Sequence, residues 1–372
     1  MKYNTLYVGM DVHKESFTLC CYDMNEDKIF YTQKIEADYK QVLEYLNAVR
    51  SAVGNDVKIV CGYEAGCLGF TLYHQLTYYQ ENCVILAPST MMQTAKKTFK
   101  TDKRDAANIA KCLAYHTYSP VHIPTKQDEQ VKEYIRMRDD HKQALKKIKQ
   151  QIISFCMRQG YSYTATKKYW TNQHLTWLQK LDADGLHKEI LEEYLLSYHT
   201  LTDRLERIDQ RIEELAADET YHDSVKKLSC FIGIKTHTAL ATIVEIGDFK
   251  RFPSAERFAS YLGLVPGEDS SGNTQKHLSI TKAGNSHVRR LLVEAAQSYV
   301  RGQPGYKSAA LKERQTGNPT PVVGYADKAN ERLRRRYRRM VLNQNKRPNV
   351  AKTAIARELA CFIWGMMTDN IA

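Results

Sequence analysis

Three short β-rich segments follow one another at the start of the chain, and only brief polar turns separate them. They cover residues 6–12, 17–22 and 28–35, and the second turn contains Asn25-Glu26-Asp27. Short strands joined by tight polar turns tend to pair with their sequence neighbours, whereas a parallel pair needs a crossover of a dozen or more residues. The spacing therefore favours an antiparallel three-stranded meander.

Helical and strand patterns then alternate up to about residue 124, where Pro120 and Pro124 end this part of the chain. The resulting order β-β-β-α-β-α-β-α matches the RNase H-like arrangement, so we expect an α/β domain over residues 1–125. After the meander, the periodicity predicts a helix over 39–53, a strand over 57–63, a helix that ends near residue 80, a strand over 83–86 and a helix over 105–118.

The middle of the chain has a pattern that is typical of long paired helices. Apolar residues recur at alternating intervals of three and four over three heptads, which predicts a coiled-coil seam. Pairing within one chain and pairing between two chains would both satisfy it. We expect a helical coiled-coil arm over 126–227 and a mainly α-helical domain over 228–372. The seam consists of Leu191, Tyr194, Tyr198, Leu201, Leu205, Ile208, Ile212 and Leu215.

The net charge of +12 is concentrated late in the chain. Residues 301–352 carry 14 Lys and Arg against 3 Asp and Glu. Like charges at this density repel one another, and a phosphate backbone relieves that repulsion, so the segment predicts nucleic-acid contact. A solvated basic surface is the alternative. The candidate contact residues are Arg334, Arg335, Arg336, Arg338 and Arg339.

Nine cysteines are present without a Cys-x-x-Cys pair, and no apolar run reaches 18 residues. An odd number of cysteines without metal-ligand spacing is typical of free thiols in a reducing compartment. An apolar segment of the signal-peptide kind does not precede the first strand. These features predict a cytoplasmic protein that has no membrane partner.

Four acidic residues stand at the ends of predicted elements. Asp11 lies near the end of the first strand, Glu64 directly follows the 57–63 strand, and Asp102 and Asp105 lie one turn apart at a helix start. Carboxylates that converge from two strands and a helix repel one another and raise each other's pKa, and divalent cations relieve this. We expect Mg²⁺ or Mn²⁺ here, with two ions acting on a phosphodiester. The alternative for Asp102 or Asp105 is a simple helix cap.

A glycine-bearing turn in the second half opens another predicted helix. The turn contains Thr281-Lys282-Ala283-Gly284-Asn285, and Arg289 and Arg290 follow in the helix. Helix N-termini bind phosphate, and the two arginines add positive charge at the same end. Lys282, Asn285, Arg289 and Arg290 are therefore further candidates for nucleic-acid contact.

Three phrases in the first half occur in a characteristic order. They are Gly9-Met10-Asp11-Val12-His13-Lys14, Tyr63-Glu64-Ala65-Gly66, and Lys100-Thr101-Asp102-Lys103-Arg104-Asp105-Ala106. They resemble the signature of the DEDD transposases of bacterial insertion sequences, a family that includes pilin-gene inverting recombinases and bridge-RNA-guided recombinases. The resemblance covers nearly the whole chain and implies a RuvC-like first domain whose four carboxylates are catalytic metal ligands.

The second half resembles the C-terminal transposase domain of the same family. The corresponding phrases are Leu262-Gly263-Leu264-Val265-Pro266, Ser271-Gly272 and Thr281-Lys282-Ala283-Gly284-Asn285, the last with threonine where serine is common. The family's catalytic serine maps best onto Ser271, with Ser270 as the neighbouring alternative. By its residues alone, a serine beside glycine is usually a turn residue.

The resemblance also implies a mechanism and partners. Ser271 attacks a phosphodiester and forms a phosphoserine link, aided by carboxylate-bound metal. The DNA partners are the element's ends or junction and its target. A structured guide RNA, a homodimer or homotetramer, and a cytoplasmic, nucleoid-associated location are further expectations. Two other readings stay open at this point: a junction-resolving nuclease that uses water as its nucleophile, and a non-catalytic nucleic-acid-binding protein.

Overall fold

The chain divides into two compact units, 1–123 and 124–372. The computed structural model describes residues 5–54, 57–66, 68–92, 101–271 and 274–371, and it describes side chains outside 268–277. No helix in this part of the chain is both long and apolar enough to cross a membrane. The cysteines among these residues are free thiols, as the sequence predicted, and most are buried.

The first unit is a mixed five-stranded sheet with helices. The strands lie in the order β3-β2-β1-β4-β5, with the first three antiparallel and β4 and β5 parallel to β1. This confirms the predicted meander and is compatible with an RNase H-like domain. The elements are β1 (Thr5–Val12), β2 (Ser16–Asp23), β3 (Lys28–Glu36), α1 (Tyr39–Val53), β4 (Lys58–Glu64), α2 (Thr71–Tyr78), β5 (Asn82–Leu86) and α3 (Asp102–Tyr115).

The two faces of this sheet have separate cores. Residues such as Met10 and Tyr63 belong to one cluster, which includes residues of α1 and α2. Ala106, Ala110 and other residues of α3 belong to clusters that include Cys20 and Leu86. Because side chains alternate along a strand, each strand contributes to both layers. The alternation fixes which residues of β1 and β4 face α3.

The second unit is mainly helical, as predicted. It contains α4 (Lys126–Arg158), α5 (Asn172–Gln179), α6 (Gly185–Ala216), α7 (His222–Ser229), α8 (Thr236–Ile246), α9 (Ala255–Tyr261), β6 (Pro266–Ser271), β7 (Thr274–Ile280), α10 (Ser286–Ala296), α11 (Ala309–Gln315), α12 (Thr320–Arg338) and α13 (Pro348–Met367).

The long helices α4 and α6 pack against each other within the chain. Arg138, in the first half of α4, forms two hydrogen bonds of 2.7 and 3.0 Å with Asp209, in the second half of α6. Toward the other end, Phe155 of α4 and Leu191 of α6 share a buried cluster. The pairing is therefore antiparallel and intramolecular. Supercoiling of this pair and a separate arm domain over 126–227 remain predictions.

The antiparallel hairpin β6–β7 was not predicted from the sequence. Its strands are polar and contain neighbouring serines, so they lack the alternation of apolar residues that identifies a strand. Ser271 is the last residue of β6 and pairs with Thr274, and its role as a turn residue or as the nucleophile stays a prediction. Gly272 lies outside the described residues.

Candidate carboxylate and serine sites

Two glycines allow α3 to lie directly on the sheet. Gly9 and Gly62 are partners in the parallel pair β1–β4. A Cβ on Gly9 would lie 2.0 Å from the Ala106 carbonyl oxygen, and one on Gly62 would lie 3.0 Å from Leu113 Cδ2. Side chains of ordinary size at these positions would therefore force α3 away from the sheet.

The two strand acids lie on the same face of the sheet as these glycines. Asp11 and Glu64 each come two residues after a glycine, so both side chains face α3. They follow directly on the Met10–Tyr63 pair, at the end of the parallel ladder. Glu64 is the last residue of β4, whereas the sequence predicted that it directly follows the strand. The strand acids and the helix that carries the other two acids therefore share one face of the sheet.

The first turn of α3 holds Asp102 and Asp105. The helix begins three residues earlier than predicted, and its cap is Thr101, whose side chain accepts a hydrogen bond from the Arg104 amide. The interpretation of either aspartate as the cap is therefore wrong. Asp102 accepts a hydrogen bond of 3.3 Å from Lys34 Nζ on β3.

Asp11 and Asp102 are close enough to share a cation, together with His13. The ligand atoms of these three residues all lie within 4.8 Å of one another. Burial raises the pKa of Asp11, His13 lowers it, and the charges of Asp105 and Asp102 raise it further, with a net shift upward. The three donors suit a divalent cation that is held by carboxylates and one imidazole.

His13 was not predicted from the sequence as a candidate ligand. It stands two positions after Asp11, and its Nε2 lies 3.2 Å from Asp11 Oδ2. An Asp-x-His spacing at a strand end was the available signal, because residues two apart on a strand share a face. The three-residue group does not include Glu64 or Asp105, so the four-carboxylate ligand set stays a prediction.

Two tightly packed loops hold the base of the serine hairpin. The Thr281 amide donates to the Val265 carbonyl at 3.0 Å, and the Lys282 amide donates to the Gly263 carbonyl at 3.1 Å. Gly263 and Gly284 both have positive φ, and a Cβ on Gly284 would lie 1.8 Å from the Tyr261 carbonyl oxygen. The two glycine-containing loops, 261–265 and 281–284, therefore pack against each other at the base of the hairpin, and we call them the mount of the hairpin.

Two of the predicted nucleic-acid contacts belong to this mount. Arg289 donates to the carbonyls of Leu262 at 2.9 Å and Ala283 at 2.7 Å, one in each loop. Asn285 caps α10 by accepting from the Val288 amide, and its Nδ2 donates to Glu245 at 2.9 Å. Both side chains thus stabilise the mount.

Arg290 turns toward a buried carboxylate on α4. Asp139 is 4% exposed and accepts a hydrogen bond from Arg290. The Nε2 atoms of His237 and His287 each lie 3.5 Å from Asp139. Burial by itself raises the pKa of Asp139, but the bonds from His237 and Arg290 hold it well below its ordinary value.

The basic helix α12 divides into buried and exposed arginines. Arg334 is buried and donates to the carbonyls of Gln303 at 2.9 Å and Tyr306 at 2.5 Å. Arg338 donates to the Gly302 carbonyl at 3.1 Å, and Arg336 donates to Glu358 at 2.5 Å. Arg335 pairs with Glu331 and is 70% exposed. These four predicted contact residues thus have different environments, and the fifth, Arg339, is exposed at the end of the helix.

A mixed sheet with clustered acids and a second helical unit are compatible with a protein that carries an RNase H-like DEDD domain, and comparison with known proteins identifies the family. The DEDD transposase model of the IS110 group matches residues 8–160, and the model described as transposase IS116/IS110/IS902 family matches residues 225–310. The chain belongs to this family of insertion-sequence transposases, and its substrate is DNA.

Full-length relatives agree with this assignment. A transposase for insertion sequence element IS1533 of Leptospira borgpetersenii is 31% identical, over 93% of this chain and 99% of that protein. A putative transposase, y4qE, of Sinorhizobium fredii is 30% identical, over 99% of this chain and 90% of that protein. A transposase for insertion sequence element IS1111A of Coxiella burnetii is 24% identical over 82% of this chain.

Proposed function

We propose that this transposase cuts and rejoins DNA through a covalent phosphoserine link at Ser271, with a divalent cation bound by the acids of the first unit. The observation that carries the proposal is the mount of the hairpin, in which two glycines and Arg289 fix both strands that lead to Ser271. A nucleophile must be held in a defined position to react efficiently. A turn serine of no function would not need such a base.

The chemistry of the serine step is a transesterification. The Ser271 hydroxyl oxygen forms a bond to phosphorus, the bond from phosphorus to one deoxyribose oxygen breaks, and the serine proton is transferred to that leaving oxygen. The phosphodiester energy is conserved in the link, so a DNA hydroxyl can reverse the step and join a new strand. Ser270 is the alternative attachment point.

The acids of the first unit hold the cation. Asp11 and Asp102 contribute carboxylate oxygens and His13 an imidazole nitrogen, and Glu64 and Asp105 complete the proposed set. When bound, Mg²⁺ or Mn²⁺ neutralises charge on the phosphoryl group and favours loss of the hydroxyl proton. Burial raises the pKa of Asp11, and the charges of Asp105 and Asp102 add to that rise; a cation bound in place of the proton would relieve the repulsion between these carboxylates.

We further propose that a structured RNA chooses the DNA partners and that the active species is a homodimer or homotetramer. The exposed arginines of α12 provide the positive surface that either nucleic acid needs. RNA and DNA share the phosphate chemistry that such a surface recognises, so base pairing would supply the sequence choice.

An adduct assay tests the proposal. The protein, with RNA co-purified from its own cells, is incubated with labelled element-junction and target DNA in Mg²⁺, and SDS-resistant protein–DNA species are mapped by mass spectrometry. We expect an adduct on Ser271 that Ser271→Ala abolishes and Thr281→Ala does not. Cleavage without an adduct would instead indicate a water-using nuclease of the junction-resolving kind. Binding without cleavage would indicate a non-catalytic protein.

A further inference from the structure

An apolar pocket lies at the base of the serine hairpin. It has a volume of about 460 Å³, within the range of about 300–1,000 Å³ that holds small molecules. Leu278 and Val350, on its wall, are 47% and 53% exposed, so together they form an exposed apolar surface. Arg336 and Arg357 stand beside this apolar wall. The other apolar lining residues are Leu264, Pro266, Ile280 and Ala354.

The pocket shares arginines with a positively charged groove along α12. Arg336 also lines a groove of about 540 Å³, and Arg336 and Arg357 both line a depression of about 360 Å³. Glu358, 11% exposed, accepts hydrogen bonds from Arg336 and Arg332 and orients both guanidiniums. The grooves contain six cationic side chains against the acids Glu331 and Glu358: Lys328, Arg332, Arg335, Arg336, Arg339 and Arg357.

We propose that this pocket holds one unstacked nucleotide of the DNA strand that is joined to Ser271, with its neighbouring phosphates along the arginines of α12. The inference rests on the proposed serine mechanism. Bases removed from the stack are bound in apolar slots, and arginines hold the backbone beside them. The pocket thus has an apolar wall for a base and, at its rim, the charge for a phosphate.

The position of the hairpin supports this occupant. Pro266 and Ile280 are partners at the base of the hairpin, and Ser271 and Thr274 are partners at its tip. Five residues of antiparallel strand separate base from tip, which corresponds to about 17 Å at roughly 3.4 Å per residue. A DNA strand attached at the tip can therefore reach the pocket within a few nucleotides.

A second copy of this chain fits the pocket less well. An apolar side chain of a partner would cover Leu278 and Val350, but it would shield Arg357, and the ion pair of Arg336 with Glu358, from water without supplying a negative charge of its own. A phosphate supplies that charge directly. The nucleotide is therefore the occupant that matches both the apolar wall and the charged rim.

Photocrosslinking tests the pocket without relying on the serine reaction. The Ser271→Ala protein is irradiated with single-stranded DNA in which 4-thiothymidine replaces thymidine, and crosslinked peptides are identified by mass spectrometry. We expect crosslinks to peptides that contain Leu278 or Val350. Val350→Asp should reduce their yield roughly tenfold, and Arg357→Glu should weaken DNA binding and reduce its salt dependence by about one counterion.

Matched controls separate the pocket from general effects. Val350 lies in the first turn of α13, where an aspartate is compatible with the helix dipole, so Val350→Asp should fold normally. Leu196→Asp and Arg207→Glu change exposed residues of α6 in the same way and should leave the crosslinks intact. A circular-dichroism melt of each variant checks the fold.

Three outcomes would overturn the proposal that the pocket binds a nucleotide of DNA. They are crosslinks that persist unchanged in Val350→Asp, crosslinks to single-stranded RNA of the same sequence but not to DNA, and a change of oligomeric state in Val350→Asp on sedimentation. Failure of the serine mechanism gives a different result: the crosslinks form as expected, while protein with Ser271 intact makes no adduct. The two hypotheses can therefore fail independently.

Discussion

Asp139, on α4, accepts a hydrogen bond from Arg290, on the helix that follows the serine hairpin. A second connection lies beside it, because Arg136 of α4 donates at 2.9 and 3.2 Å to Glu245, which also accepts from the α10 cap Asn285. Two ionic contacts thus tie the long helix α4 to the mount of the hairpin. The position of α4 therefore influences where Ser271 is held.

Removing one partner of the Asp139–Arg290 pair should destabilise the second unit. Arg290→Ala leaves a buried carboxylate without its main donor and should cost about 3 kcal/mol. Asp139→Asn should cost less, because Arg290 is 39% exposed and can reach water. All three tryptophans, Trp170, Trp177 and Trp364, lie in this unit, so their fluorescence in urea reports its unfolding. An unchanged midpoint for Arg290→Ala would contradict the prediction.

The same contacts predict acid sensitivity of the second unit. Burial by itself raises the pKa values of Asp139 and Glu245, but bonds from His237 and Arg290, and from Arg136 and Asn285, lower both overall. A lowered carboxyl pKa stabilises the fold above the ordinary value near 4, and this stability is lost as pH falls through the lowered pKa.

Urea midpoints measured from pH 7 to pH 3 test this sign. The urea midpoint should decrease as the pH drops below about 4, and this decrease should be shallower in Asp139→Asn. Burial also lowers the pKa of His287, so its loss of stability begins nearer pH 6.5. Because the charge of Asp139 opposes this shift, that loss should be larger in Asp139→Asn. Parallel curves for wild type and variant below pH 4 would rule out the contribution of Asp139.

Gly9→Ala should displace α3 and weaken metal binding. The added methyl group would lie 2.0 Å from the Ala106 carbonyl oxygen and 2.5 Å from the Ala110 amide nitrogen, so the helix that carries Asp102 must move. Overpacking of this kind costs about 1–3 kcal/mol. Gly324→Ala is the control, because its methyl group meets nothing within 4 Å and should stabilise α12 by about 0.5–1 kcal/mol. Calorimetry with and without Mn²⁺ measures both effects.

Asp11→Asn should stabilise the metal-free first unit. Burial is the main cause of the raised pKa of Asp11, so the ionised carboxylate costs stability at neutral pH and a neutral amide removes that cost. Mg²⁺ or Mn²⁺ should raise the melting temperature of wild type but not of the variant. The exposed turn residue Glu26 provides the control Glu26→Gln, which should keep the metal response. A full metal response in Asp11→Asn would show that the cation binds elsewhere.

Two neighbouring arginines should separate stability from nucleic-acid binding. Arg334 is buried and donates to two backbone carbonyls. Arg334→Ala should therefore lower the free energy of unfolding of the second unit by about 1–3 kcal/mol, which a lower urea midpoint would show. Arg335 is 70% exposed, so Arg335→Ala should leave the midpoint unchanged and weaken DNA binding with a shallower salt dependence. Equal losses of DNA affinity without destabilisation in both variants would argue against this division.

Periodicity and turn residues were sufficient to predict most elements of the first unit. The helix over 39–53 has the predicted bounds, and the meander is confirmed. The start of α3 was placed three residues late, because the apolar periodicity begins at Ala106 while the capping residue is Thr101. The β6–β7 hairpin was missed because polar strands carry no hydrophobic alternation.

The sequence by itself determined the order of the acids, the family resemblance and the basic character of α12. Tertiary structure alone decided that His13 joins Asp11 and Asp102, and that Arg290 forms a hydrogen bond with Asp139. The physical reason is that a charged residue has the same local pattern whether its partner is water, a phosphate or a buried carboxylate. Only long-range packing brings α4 beside α10, and that packing determines which of these partners each charge has.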